Sequence, residues 1–440
     1  MKKIFKVSLT VSLAGFLFGF DTIVISGVDQ QLQSLWETSD LFHGTFIMSM
    51  ALWGTVIGAI FGGYPTDYFG RKKTLIGIGF LYFISAIGSG LAIDPFSFSF
   101  FRFIGGLGVG ASTVTAPTYI SEISPASNRG KLVALYQFNL VFGILVAFIS
   151  NFLLKNTGTE PWRWMVGVEV IPAAIYLFAI FSVPKSPRWL IFNQKDFIKA
   201  EKVQKEMNMI PFTKNEIKEI VNSKNSSSEK LFSTEYKFPV LLAFLLAFFN
   251  QLSGINAFLY YAPRIFETAG LKESSALLSS IGIGLTNLIF TLLGLYLIDR
   301  IGRKKLMFIG SIGYIVSLSM VGFSFINSWE GLFVPAFLFL FIASHAIGQG
   351  AVIWVFISEI FPNHLRAKGQ AFGSSVHWVL AAIITLVMPS ALKATPNPGY
   401  LFFFFAAMMV FQLVFVIKIM PETKGVPLEE LGKKLVDTNE

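Results

Sequence analysis

The stretch GGYPTDYFGRKK, residues 62–73, returns as GLYLIDRIGRKK at residues 294–305, with Asp67 and Asp299 lying 232 positions apart. A second stretch, ISEISPASNRGK at 120–131, returns as ISEIFPNHLRAK at 357–368, with Glu122 and Glu359 separated by 237 positions. Two motifs repeated in the same order at nearly the same offset mark an internal duplication. Each copy is charged and sits between long apolar runs, as a loop beside a membrane does. Topogenic charge alone would also place GRKK there. The fuller pattern includes an acid four residues before the basic run with a Gly between them, and the matched Glu and Arg of the second motif suit ion pairs latching the cytoplasmic ends of the two halves. Asp67, Arg71, Glu122 and Arg129, with Asp299, Arg303, Glu359 and Arg366, are therefore the candidates for a cytoplasmic charge latch. Such pairs would form in one conformation and break in another.

Outward from these loops, composition agrees. Of the 440 residues 53% are hydrophobic and 14% charged, where an ordinary soluble domain carries about 25% charge. Apolar runs of roughly 20 residues, enough to cross a bilayer core, recur throughout. They fall at about 5–28, 43–65, 74–93, 96–120, 131–154, 164–183, 238–263, 274–298, 304–326, 332–358, 369–392 and 399–420. The expected architecture is an all-α membrane protein of twelve transmembrane helices in two six-helix pseudo-symmetric halves, 1–183 and 238–420. A cytoplasmic linker with short amphipathic helices, 184–237, joins them, and a cytoplasmic tail, 421–440, follows. The run NSKNSSS, 222–228, reads as a flexible linker. Duplicated halves of this kind place a substrate site at their interface near the midplane.

The net charge of +9 does not signal nucleic acid. About 29 of the 35 Lys and Arg fall on one set of alternate loops, the bias that marks the cytoplasmic side. Lys2, Lys3 and Lys6, with Lys433 and Lys434, put both termini there, in a plasma (inner) membrane. MKKIFK and its apolar run lack a small-residue cleavage site near Val28, so they read as a first span and not a signal peptide. Cysteine is absent, which removes disulfide and thiol chemistry. No metal-ligand cluster, cofactor motif or obligate protein partner is indicated. IGGLGVG, 104–110, imitates a nucleotide fingerprint but lies inside a span, where close helix packing explains it.

Two charges remain well inside the first four spans. Asp21, in GFDTIVISG, lies eight residues inward from Asp29, and Arg102 lies eight inward from Asp94, each about 12 Å at 1.5 Å per residue. An ionised Asp at the centre of a membrane helix costs roughly 2.5–3.5 kcal/mol on insertion scales. Opposite charges at matched depth answer each other, so Asp21 is paired with Arg102. The pair is either a structural ion pair or a proton switch, in which Arg102 favours the ionised acid and desolvation the neutral one.

Together these motifs resemble the sugar porters of the major facilitator superfamily over nearly the whole chain. The resemblance rests on GFDTIVISG, GGYPTDYFGRKK, RFIGGLGVG leading into PTYISEISPASNRGKL, PWRW (161–164), QLSGINAFLYYAP (251–263), LIDRIGRKK, WVFISEIFPNHLRAKG and PETKG (421–425). It implies the major facilitator fold and a secondary transporter, not an enzyme, that imports a monosaccharide, hexose or pentose, by alternating access. Proton-coupled members of the family hold Asp at the position of Asp21 and passive uniporters commonly hold Asn, which points to proton symport. The resemblance places sugar recognition on Gln137, Asn250, Gln251, Asn256, Asn287, Trp354, His377 and Trp378, with Phe18 and Tyr260 as wall or gate aromatics. Taken singly, an amide in a membrane helix is also interhelical glue. Gln251 and Asn256 stand about 140° apart on a regular helix, so serving one site requires unwinding, for which Gly254 is placed.

Four positions depart from the family pattern. Lys185 replaces an acid in PKSPR, Asn250 a Gln, His377 an amide, and Ala351 a Pro. His377 would serve as a hydrogen-bond donor, as a titrating group or as a satisfied buried histidine. His43, His345 and His364 carry no pattern. Alternatives to symport are a facilitative sugar uniporter of the same fold, a drug exporter and a non-transporting sugar receptor. Span five, LYQFNLVFGILVAF, lacks the Gly-Pro pattern of the exporters. A receptor would carry a long signalling tail, where about 20 residues follow the last span here.

Overall fold

The computed structural model describes residues 2–125, 128–222, 231–329, 331–362, 365–426 and 435. Most of the run 222–228, together with His364, Lys433 and Lys434, lies outside the described residues. The described chain is helical, without strands. Twelve long elements match the expected spans. The first six are α1 (Lys2–Gly27), α2 (Met50–Phe61, entered through a bent Asp40–Met48), α3 (Arg71–Leu91), α4 (Pro95–Ile123), α5 (Arg129–Leu154) and α6 (Pro161–Phe181). The second six are α7 (Thr234–Tyr260), α8 (Glu273–Ile301), α9 (Arg303–Ile326), α10 (Phe333–Glu359), α11 (Arg366–Ala394) and α12 (Gly399–Lys418). Ten are long and apolar enough to cross a bilayer, and α2 with its bent approach makes eleven. The other, α4, carries Arg102, Glu122 and eleven Gly, Ser and Thr residues. These lower its hydropathy and suit a helix packed among helices. Between α6 and α7, Phe197–Glu206 and Lys214–Asn222 are helical. They help cover a small apolar core of Trp189, Leu190, Ile191 and Ala200.

Contacts divide the chain into two compact units, Met1–Ile25 with Met50–Ser228, and Ser26–Ser49 with Glu229–Glu440. Residues 26–49 follow the first span in sequence but pack in the second unit. There the backbone at Gly44 meets α11 so closely that a Cβ would lie 2.0 Å from the Leu386 carbonyl oxygen. Ion pairs from Asp29 to Arg264 (2.7 Å) and from Asp40 to Lys393 (3.0 Å) tie the same segment down.

In the first unit, glycine sets the helix spacing that brings the interior charges together. A Cβ on Gly19 of α1 would stand 1.9 Å from the Leu140 carbonyl oxygen of α5. A Cβ on Gly106 of α4 would stand 1.9 Å from that of Ala51 in α2. Such backbone-to-backbone approach is open only to residues without a side chain. It is the structural use of IGGLGVG.

The repeated motifs begin helices in both units. Gly70 has φ 86° and ψ 156°, Gly302 has φ 101° and ψ 162°, and each is followed directly by the Arg-Lys-Lys that opens α3 or α9. That backbone region is essentially closed to L side chains. Gly70→Ala and Gly302→Ala are therefore expected each to destabilise the protein by about 1–3 kcal/mol. Gly77→Ala, in the same α3 with nothing within 4 Å of the added methyl, should be neutral or stabilising by about 0.5–1 kcal/mol. Thermal unfolding of the purified protein in detergent compares the three.

Candidate functional site

The first unit buries three ionisable side chains together. Asp21 of α1 and Arg102 of α4 are each 1% exposed. Arg102 donates from Nη1 to Asp21 Oδ1 at 2.5 Å and from Nη2 to the Asp21 backbone carbonyl at 2.7 Å. The guanidinium thus grips both the side chain and the main chain of α1. Room for the carboxyl comes from Gly105, where a Cβ would lie 3.2 Å from Asp21 Oδ1. The third member is Glu169 of α6, also 1% exposed, which interacts electrostatically with both Asp21 and Arg102. Asp21 Oδ2 and both Glu169 oxygens meet no fixed donor among the described residues, and the two carboxyls lie within hydrogen-bonding reach of each other, needing only a proton to join them. Sequence reasoning missed Glu169, although its signal, a lone acid in the apolar run GVEVIP, equals that of Asp21.

The second unit gathers most of the amide and aromatic candidates. Gly254, at φ 84°, interrupts α7 between Leu252 and Ile255. The break turns Asn256 back so that its Nδ2 donates to Gln251 Oε1 at 2.7 Å. Gln251 Nε2 donates to Asn250 Oδ1 at 3.0 Å and lies 3.1 and 3.2 Å from the two ring nitrogens of His377. The His377 ring sits 5.0 Å from Trp354 and 4.6 Å from Trp378, centroid to centroid. His377 is thus wedged between two indoles against an amide. Asn287 of α8 is apart from this hydrogen-bonded set and accepts from Thr291 at 3.3 Å. Gln137 of α5 belongs to the first unit, half-buried, and makes no hydrogen bond among the described residues. Phe18 and Tyr260 are buried in α1 and α7.

Two further amides, Gln349 and Gln412, are completely buried beside the second-unit group. Asn250 donates to Gln349 at 3.4 Å, and Gln349 donates to Gln412 at 2.7 Å. Their only sequence signal is a lone Gln in an apolar span. His43, which showed no pattern, is fully buried 2.8 Å from Asp29, whose other oxygen pairs with Arg264 at 2.7 Å.

The charges of the repeated loops form the same network in each unit. Arg71 reaches Glu122 at 2.9 Å and Asp67 at 3.1 Å, and Ser186 donates to Glu122 at 2.5 Å. Arg303 reaches Glu359 at 2.7 Å and Asp299 at 3.0 Å, and Thr423 donates to Glu359 at 2.6 Å. Arg129 and Arg366, candidates with Glu122 and Glu359 for a charge latch, form no ion pair among the described residues. Each acid is matched by another arginine instead. The first-turn arginine of α3 or α9 and a loop hydroxyl already take both oxygens of each Glu.

PKSPR and PETKG prove to be a third repeated element. Ser186 and Thr423 play one part, while Lys185 stands where Glu422 stands in the second unit. Glu422 accepts from the Arg303 and Lys304 backbone N–H groups at 2.9 and 3.1 Å, capping α9. Lys185 instead sets a positive charge against Lys72.

Comparison with known proteins places these geometries in a family. The family model described as "Sugar (and other) transporter" matches residues 7–435. The chain belongs to this sugar transporter family. It is 34% identical to the arabinose-proton symporter of Bacillus subtilis (strain 168), covering 97% of this chain and 94% of that one. It is also 34% identical to the D-xylose-proton symporter of Escherichia coli (strain K12), covering 97% and 95%. Among solved structures, the partially occluded inward-open xylose transporter XylE from E. coli superimposes with a TM-score of 0.86 at 31% identity, over 97% of this chain and all of that one. The protein is a multi-pass membrane transporter of the major facilitator superfamily, not an enzyme.

The Lys185 difference gives a direct check. Lys185→Glu is expected to supply the missing cap on α3 and stabilise the protein by about 0.3–1 kcal/mol. Lys185→Gln removes only the repulsion and should give less. Equal thermal midpoints for the two variants would show that no cap forms.

Proposed function

We propose that this transporter imports a pentose or hexose together with a proton, across a plasma (inner) membrane with both termini cytoplasmic. The observation that carries the reading is the buried group of two carboxyls and one guanidinium in the first unit. With both acids ionised the group has a net charge of −1 in a nonpolar interior, and one bound proton brings it to zero. Uncompensated charge within a membrane protein is costly, so proton binding there and the conformation that buries the group are thermodynamically linked. Arg102 occupies Asp21 Oδ1 and leaves Oδ2 without a donor, the atom on which the transported proton would reside. The names of the related arabinose- and xylose-proton symporters support the same coupling and substrate class. The even number of spans and the bias of Lys and Arg among the loops support the orientation.

For the sugar, Gln251, Asn250, Asn256, Asn287 and Gln137 are the hydrogen-bonding candidates, and Trp354 and Trp378 the surfaces for its C–H face. Neutral amides beside flat rings suit a ligand whose hydroxyls both donate and accept, and an unpaired hydroxyl in a dry site costs about 1–3 kcal/mol. His377 would act by holding Gln251. Asp67, Arg71, Glu122, Asp299, Arg303 and Glu359 would brace the cytoplasmic helix ends and release as the conformation changes.

Uptake into proteoliposomes with and without an inward proton gradient tests the coupling. Wild-type protein should accumulate D-xylose, L-arabinose or D-glucose above equilibrium. Asp21→Asn should abolish accumulation while leaving exchange between external and internal sugar. Glu169→Gln should lower the accumulation ratio severalfold, again with exchange retained. Unchanged uphill accumulation in Asp21→Asn would overturn the assignment of the proton site, and absence of uptake of every monosaccharide would overturn the substrate class.

A further inference from the structure

Six polar side chains of the second unit form a continuous hydrogen-bonded line with a single sense. Asn256 Nδ2 donates to Gln251 Oε1 (2.7 Å), Gln251 Nε2 to Asn250 Oδ1 (3.0 Å), and Asn250 Nδ2 to Gln349 Oε1 (3.4 Å). Gln349 Nε2 then donates to Gln412 Oε1 (2.7 Å), Gln412 Nε2 to Ser311 Oγ (2.8 Å), and Ser311 Oγ to the backbone carbonyl of Met307 (2.7 Å). The line passes from α7 through α10 and α12 to α9, and all six side chains are buried, the most exposed at 8%. Gln349 sits where α10 widens into a π-turn over Ala346–Gly350, a distortion found mostly at functional positions.

The sense of this line is determined at its far end. A backbone carbonyl can only accept, so Ser311 spends its single hydroxyl proton on Met307 and can only accept from Gln412. Gln412 must therefore turn its NH2 toward Ser311 and its carbonyl toward Gln349. The same logic passes through Gln349 to Asn250, Gln251 and Asn256. Reversing one amide alone would set NH2 against NH2 on one side and oxygen against oxygen on the other. Each buried bond lost in this way costs about 1–3 kcal/mol.

We propose that Gln349, Gln412 and Ser311 are positioning residues that fix the donor and acceptor faces which Asn250, Gln251 and Asn256 offer to the sugar. They thereby set which hydroxyl arrangements the transporter accepts, without touching the sugar themselves. The inference rests on the reading of Asn250, Gln251 and Asn256 as sugar ligands. Asn256 heads the line with its Oδ1 unclaimed by any donor among the described residues, an acceptor for one substrate hydroxyl.

Initial rates of D-xylose, L-arabinose and D-glucose uptake by the full-length protein in proteoliposomes test this. Gln412→Met, of similar length but without the amide, and Ser311→Ala, which removes the anchor, should each raise KM for the preferred sugar about tenfold. Both should shrink the difference in kcat/KM between the sugars, with kcat altered less than KM. Gln412→Glu, whose acid form has one acceptor and one donor in the same two places, should restore KM and selectivity. A folded Gln412→Met with unchanged KM and selectivity, or with one proportional loss for all three sugars, overturns the proposal. Should Gln412→Met fail to fold, Ser311→Ala, which deletes a single hydroxyl, decides by the same criteria. Gln251→Ala separates the two levels. If it leaves KM unchanged for all three sugars, the sugar-site reading itself fails. If it raises KM while Gln412→Met and Ser311→Ala do not, only the positioning role fails.

Discussion

Hydrocarbon has no hydrogen bonds to give, so every polar group inside a membrane protein must be answered by another part of the same chain. The main features of this structure follow from that constraint. Arg102 is tolerable only because Asp21 and a backbone carbonyl meet it, and those contacts demand that α1 and α4 come close. Closeness in turn demands glycine, which explains Gly105 of α4 against the Asp21 carboxyl of α1. In the second unit the interior of α7, α10 and α12 meets the constraint with amides that each donate to the next, apart from the Asp29–Arg264 pair. The first unit holds an excess carboxyl beside its buried arginine, and the second holds a line of neutral amides.

Much of this was legible in the chain. The duplicated GRKK and ISEI motifs, with twelve apolar runs, led to the twelve-helix architecture because hydropathy and repetition act locally and need no tertiary information. The Asp21–Arg102 pair was legible because two isolated charges at equal depth have few other ways to be satisfied. The Gln251–Asn256 contact followed from an awkward helical angle and a glycine between them, and Gly254 does adopt the left-handed backbone that resolves it.

What stayed hidden depends on relations between distant helices. Glu169 carried the same local signal as Asp21, but one acid and one base already balanced, so charge matching gave no cause to add a third. The partners of Glu122 and Glu359 lie in the other motif, since the first turns of α3 and α9 deliver Arg71 and Arg303 to them. Gln349 and Gln412 are single amides in apolar spans, and only the lateral register of α10 and α12 shows that they touch. Residues 26–49 follow the first helix in sequence, yet their ion pairs and the packing at Gly44 place them with the second unit.

Each amide in the buried line has its oxygen toward Asn256 and its nitrogen toward Ser311, so the individual dipoles add instead of cancelling. The negative end of the sum emerges at the Asn256 carbonyl oxygen. A field of that sign favours the hydrogen of a neutral hydroxyl and opposes carboxylate and phosphate. On the proposed reading of Asn256 as a sugar ligand, this line of uncharged side chains would favour unmodified sugars over acidic or phosphorylated ones.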